Sequence, residues 1–473
     1  MSNSRRNFLK KSGLVGAGIL ASTTVGSAQH EGHVPAQPQP RTDVGQVTSD
    51  GNVLVHTPDV PKLPWTMEGG VKVFRLTAEV VKTRINPMRE IFAWGYNGSV
   101  PGPTIEVNEG DRVRILFQNN LPEATTVHWH GLEVPLQMDG VPFISQPMVE
   151  PGGTFTYEFT LYQNGTFFYH SHMAMQEMMG MIGFFIIHPK DAYAPHCHKD
   201  FGLILQEWAL LPNNPVPNSL AMEFNWLTLN GKAGPATTPM IVKQGERVRI
   251  RFVNLGMDHH PMHIHGNQFY VTGTEGGRIP ESRWFRENTV LVGVAQARNI
   301  EFDAVFPGEW MLHCHLPHHM MNQMVSMVGP MGMAGQGVQT GKGMEEGMGI
   351  VKQGHALSKD MAPGLGRGMG DTTEKERNTS NLVGPSPHLQ QNNLKETDKK
   401  RVPGYPQDMV MIMDREVAKP ETYGLPPGWT ASMMGMMTLV RVLPPTQYEE
   451  VMRRIRERII EAPAAIPAGH KHG

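Results

Sequence analysis

Short runs in which apolar residues alternate with polar ones recur along the first two-thirds of the chain, each closed by a turn signal. Between Val71 and about Pro189 they fall at Val71–Val80, Thr104–Val107, Val113–Phe117, Thr154–Phe159 and Met181–Ile187. Pro101-Gly102-Pro103, Glu109-Gly110-Asp111 and Pro151-Gly152-Gly153 punctuate them. A period of two marks strands with one buried face, so this spacing predicts an antiparallel β-sandwich over residues 71–190. A second stretch, residues 200–328, has the same texture, with runs at Leu203–Leu205, Val248–Val253, Phe269–Val271, Val290–Val292, Ile300–Val305 and Trp310–Leu312. The two stretches share a phrase. Val107-Asn108-Glu109-Gly110-Asp111-Arg112-Val113-Arg114-Ile115 aligns with Val242-Lys243-Gln244-Gly245-Glu246-Arg247-Val248-Arg249-Ile250. We read this as an internal repeat of one β-domain.

The flanks differ. Ser4-Arg5-Arg6-Asn7-Phe8-Leu9-Lys10, a weakly apolar run and Gly26-Ser27-Ala28 resemble a twin-arginine signal over residues 1–28, implying an exported, periplasmic protein with no stable membrane anchor. Residues 29–70 read as a leader. Residues 329–402, Gly/Met-rich and then polar, have little to bury and are expected to be flexible. Residues 403–473 form an extension with a helix near 446–462, where Thr446 and Glu449 suggest a capping box. Tyr448, Val451, Met452, Ile455 and Ile459 share one face, which needs a partner, and Pro463 would stop the helix.

Composition narrows the chemistry. Net charge is -2 with 18% charged residues, which gives no electrostatic basis for a nucleic-acid partner. The outliers are 22 His and 33 Met, against only 2 Cys, so no disulfide framework holds the chain. The histidines cluster as His128-Trp129-His130, His170-Ser171-His172, His260-Pro261-Met262-His263-Ile264-His265 and His313-Cys314-His315, followed by His319 and Met324. A His-x-His on a strand puts both rings on one face. Four such pairs supply eight imidazoles, suited to three copper ions sharing oxygen. By the same alternation Cys314 points away from His313 and His315, toward a further copper completed by His260, His319 and a weak axial Met324. Two imidazoles, a thiolate and a distant thioether describe a blue-copper electron-transfer site.

Together these motifs resemble the multicopper oxidases, over about residues 75–328. The resemblance implies two cupredoxin-like Greek-key sandwiches in an all-β chain, and four copper ions per active unit. Type 1 copper would lie on His260, Cys314, His319 and Met324, and type 2 on His128 and His263. The type 3 pair would lie on His130, His170, His172, His265, His313 and His315. It also implies electron transfer from a reducing substrate, phenolic or Cu(I), near His319, and four-electron reduction of O2 to water. Asp139 would assist proton delivery. Only about 87 residues separate His172 from His260 and no Cys stands in the first histidine pair, which resembles the two-domain, small-laccase branch. In that branch the cluster lies between the first domain of one subunit and the second domain of the next, implying a homotrimer. A periplasmic cuprous oxidase and a copper-sequestering protein acting through its Met-rich tail are the alternatives. A two-domain nitrite reductase is disfavoured, since it needs no six type 3 histidines. His196-Cys197-His198, with no His-Met pair downstream, is read as an echo of the copper motif.

Overall fold

The computed structural model describes residues 45–48, 50–210, 214–219, 224–320 and 412–462. The signal, the 329–402 segment, Met324 and Pro463 lie outside them. The described residues are mostly strands, in four sheets that stack as two sandwiches. In the first, one sheet orders Trp65–Glu68, Val71–Asn86, Arg112–Asn119 and Thr154–Thr160, with Arg89–Tyr96 also on Val71–Asn86. Its partner sheet orders Gly102–Asn108, Ile182–His188, Gly165–Ser171 and Val127–His130. In the second, seven strands centred on Arg247–Asn254 face a sheet of five: Met240–Lys243, Met437–Leu443, Gly308–Cys314, His260–Ile264 and Thr289–Val292.

The shared phrase has one structural meaning in both halves. Each copy is a strand, a tight turn and a strand that crosses to the facing sheet. Gly110 (φ 93°) and Gly245 (φ 89°) hold the left-handed position of that turn, which a side chain would strain. The following strand pairs parallel with an earlier one in each half, Val71–Asn86 and Lys199–Trp208. The sheets are therefore mixed rather than purely antiparallel. Each sandwich is filled by the alternate residues that the pattern marks, among them Phe74, Ile115, Trp129 and Phe185 in the first and Ile250, Phe252, Ile300 and Val440 in the second.

Two features join the halves. Phe168, Ile182, Phe184 and Ile186 pack on Ile204, Val253, Leu255 and Ala297, with Val55 among them, so the supposed leader is core by that point. Beside this contact lies a buried ion network. Glu301 accepts hydrogen bonds from Arg249 (2.8 Å) and Arg278 (2.6 Å), and Asp200 from Arg251 and Arg249. Arg251 also donates to Thr166, which donates to Asn299, crossing from one sandwich to the other. Burial alone would raise the Glu301 carboxyl, but Arg249 and Arg278 hold it down at about 2. Its folded value is thus below the unfolded one, so its stabilisation is present above about pH 4.5 and is lost as pH falls toward 2. Glu301→Gln should cost about 3–5 kcal/mol by leaving buried arginines short of charge. It should also flatten the acid limb of a pH-melting profile, which calorimetry from pH 2 to 6 reads.

The C-terminal helix runs Pro445–Glu457 and buries Tyr448, Val451, Met452 and Ile455 against Ile241 and Leu443 of the second sandwich. The capping box does not form: Pro444 is the N-cap without a side-chain bond, and Glu449 pairs with Lys243 at 3.2 Å instead. The helix ends at Arg458 in the left-handed conformation, so Ile459 lies beyond it. Among the described residues no helix is long and apolar enough to cross a membrane.

Candidate metal centre

Three convergent groups occupy the histidine strands. In the buried one, Cys314 Sγ lies 3.6 Å from His260 Nδ1 and 3.4 Å from His319 Nδ1, with the two Nδ1 atoms 3.1 Å apart. All three side chains have no exposed surface, and Cys314 is part of the second sandwich's apolar core. Burial, and then His260 and His318 nearby, push His319 down to about 3, so its ring is a neutral ligand at ordinary pH. Burial pushes the Cys314 thiol up to about 12. A thiol so placed ionises only if a cation takes the proton's place. Two facing imidazole nitrogens and one sulfur fit copper.

The second group is on the first sandwich. His128 Nδ1–H donates to the Asp139 carbonyl (2.7 Å) and His170 Nδ1–H to the Ser171 carbonyl (2.7 Å), which makes Nε2 the lone-pair nitrogen of each ring. His130 Nδ1 faces His170 Nε2 at 3.4 Å, and the His172 ring lies 5.4 Å from that of His128. Burial, and the neighbouring rings, push His130 down to about 4. Gly140 makes the Asp139 contact possible: at φ 84° its Cα is so close to the chain that a Cβ would lie 1.9 Å from the Val127 carbonyl. The Asp139 carboxylate itself is 3.4 Å from His128 Nδ1.

The third group repeats the second on the other sandwich. His263 Nδ1–H donates to the Asn288 carbonyl (2.7 Å) and His313 Nδ1–H to the Cys314 carbonyl (2.9 Å). His265 Nε2 faces His313 Nε2 at 3.1 Å, and the His315 ring lies 5.4 Å from that of His263. Alternation along Gly308–Cys314 thus sends Cys314 inward and His313 toward this group. Among the described residues, no ring contact joins the histidine set of the first sandwich to that of the second.

Sequence reasoning missed the carboxylates behind the buried group. Glu207 Oε1 lies 2.8 Å from His260 Nε2, both fully buried, and Asp258 Oδ2 lies 3.3 Å from His319 Nε2. Glu207 ends a strand far from any histidine motif, so only the fold brings it here. His196-Cys197-His198 has another role: the His198 ring accepts from Arg247 N–H at 3.0 Å, and Cys197 is buried beside the arginine network.

Comparison with known proteins bears on the whole arrangement. Residues 79–192 and 210–329 match two family models, each described as multicopper oxidase. A blue copper oxidase from Nitrosomonas europaea superposes with TM-score 0.50 at 32% identity, over 53% of this chain and 81% of that one. The chain belongs to the multicopper oxidase family. It is 40% identical over 116 residues to copper resistance protein A of Pseudomonas syringae pv. tomato, and 48% identical over 103 residues to laccase-1 of Emericella nidulans. Those stretches are 24% and 21% of this chain and only 19% and 17% of the two relatives.

Proposed function

We propose that this multicopper oxidase is a laccase-like enzyme that removes single electrons from a reducing substrate and passes them to O2, forming water. The buried His260–Cys314–His319 triad, back to back with a histidine set on the same strand, supports this reading most directly. His260, Cys314 and His319 would hold a type 1 copper with a weak axial methionine. His128 and His263 would hold type 2, and His130, His170, His172, His265, His313 and His315 the type 3 pair. Bound copper supplies one-electron redox chemistry at the triad and a site for O2 reduction at the histidine sets.

The chain's own part is positional. The buried triad keeps water from the sulfur, while carbonyl acceptors fix the tautomers of His128, His170, His263 and His313. Cys314 and His313 are joined both by one peptide bond and by the His313 N–H to Cys314 carbonyl hydrogen bond, so two short paths link the sites. Asp139, beside His128 and 30% exposed, is placed to take protons from solvent and give them up near that ring.

Assembly is part of the proposal. In one chain each histidine set is a half-site, and His172, His265 and His315 are exposed. The loop after Asp139 also exposes Phe143 (82%) and Ile144 (75%), large apolar side chains suited to a covered surface. Apposing the first set of one subunit with the second set of the next closes a ring of three copies with three clusters. Such copies would work in the periplasm.

A specific observation favours a cationic donor over a neutral phenol. Asp258, His318 and His319 present convergent ligand atoms at the outer edge of the triad, and Glu207 adds buried negative charge. Asp258→Asn should raise KM for Cu(I) about tenfold while changing KM for 2,6-dimethoxyphenol little, as loss of a charge-assisted contact predicts. Equal effects on both donors would remove the Cu(I) preference. The overall reaction is tested by oxygen electrode on copper-loaded protein. One O2 should be consumed per four electrons from either donor, without peroxide; accumulating peroxide would contradict the reading.

A further inference from the structure

The two sandwiches repeat more than their strands. Ser171 stands where the second sandwich has Cys314, between His170 and His172 as Cys314 stands between His313 and His315. Ser171 Oγ bonds Thr125 (3.1 Å) and Gln176 (2.8 Å), in the places that His260 and His319 hold around Cys314 Sγ. The chain then closes this loop and enters its next strand, Ile182–His188, after only ten residues.

The hydrogen bonds at that closure identify the equivalent closure in the second sandwich. In the first, Ser171 N–H donates to the Met181 carbonyl and Met181 N–H to the Gln176 carbonyl. In the second, Cys314 N–H donates to the Met436 carbonyl and Met436 N–H to the His319 carbonyl, at 3.0 and 2.9 Å. Both methionines are fully buried, both follow a glycine with positive φ (Gly180, 112°; Gly435, 64°), and both precede the strand parallel to the sandwich's entering strand. The register pairs His313 with Met437, which sets Met436 opposite Cys314. Cross-strand partners share a face. Accordingly Met436 packs in the same core as Cys314, whereas Met433 and Met437 join a separate cluster with Met311 on the other face.

We propose that Met436 is the axial thioether of the type 1 site, and that residues 321–435 are an insertion inside its metal loop. Spacing alone selects Met324, ten residues after Cys314 as Met181 is after Ser171, but Met324 follows Gln323 where the repeat has glycine. The inserted stretch then begins just after the loop that carries His319 and ends at Gly435, immediately before Met436. This inference rests on the copper reading above.

Full-length, copper-loaded protein tests it by absorption, electron paramagnetic resonance and redox titration, with thermal melting as the check on folding. Met436→Leu should keep the blue band and raise the reduction potential, because an apolar axial neighbour withdraws a weak donor. Met436→Gln should lower the potential and alter the resonance spectrum, and Met324→Leu should match wild type in both readouts. A raised potential in Met324→Leu overturns the proposal whatever the Met436 variants do, as does a Met436→Leu spectrum and potential identical to wild type. A wild-type protein that takes up copper without any blue band refutes instead the copper reading on which the assignment stands.

Discussion

Cys314→Ser is expected to abolish the blue absorption and to lower turnover at least about a thousandfold, because it removes the only sulfur in the triad that can ionise. The molecule already shows that serine is tolerated in this setting. Ser171 is fully buried at the equivalent position of the first sandwich, with its hydroxyl bonded to Thr125 and Gln176. In the variant, His260 and His319 would offer comparable partners to the new hydroxyl. The fold should therefore survive, and melting temperature and O2 turnover should separate. The histidine sets keep their nitrogens, so copper bound per chain should fall by about one quarter rather than to zero. A variant that still protects cells from copper after its turnover is lost would favour a copper-sequestering role over the oxidase.

The second large effect concerns the C-terminal extension. Truncating the chain after residue 330 should prevent the second sandwich from folding. Met437–Leu443 lies between Met240–Lys243, to which it is parallel, and Gly308–Cys314, to which it is antiparallel. All seven of its residues are buried. Removing Met437, Leu439, Val440, Val442 and Leu443 forfeits about 1.5–3 kcal/mol each, a total comparable to the about 5–15 kcal/mol that stabilises a whole domain. The helix that covers Ile241 would go as well. By contrast, residues 331–402 are Gly/Met-rich and then polar, with little to bury, so excising them should leave melting and copper uptake near wild type. Circular dichroism on the two deletions checks both. It follows that a role for the Met-rich segment can be tested by internal excision, but not by truncation.

That strand marks the limit of what the chain reveals in one dimension. The histidine pairs, both sandwiches and the shared phrase are legible because period-two alternation and turn residues act over a few positions. The closing strand of the second sandwich is not, since its partner Gly308–Cys314 lies over a hundred residues upstream and local pattern cannot state who pairs with whom. The glycine before Met436 and the apolar run after it are its only traces in the sequence, visible once the first sandwich supplies the template. Glu207 is invisible for a related reason: a buried acid at a strand end carries no motif. The capping box failed because a Pro444-Pro445 start already fixes the first turn and Lys243, from another part of the chain, claims Glu449. The residues after Asn52 looked like a leader because Pro and polar residues dominate them, yet Asn52, Val55 and His56 are tied to Pro189, Glu106 and Asp200.

In the proposed trimer each O2-reducing cluster is shared between subunits. The most direct test of that sharing mixes two inactive variants, His128→Ala/His130→Ala and His263→Ala/His265→Ala, by co-refolding or co-expression. If the sets meet across subunits, random assembly leaves about one quarter of interfaces with both sets intact, so activity should return to about a quarter of wild type in a species of trimer mass. Full activity in wild-type monomer by light scattering, or no recovery in mixed trimers, would contradict it.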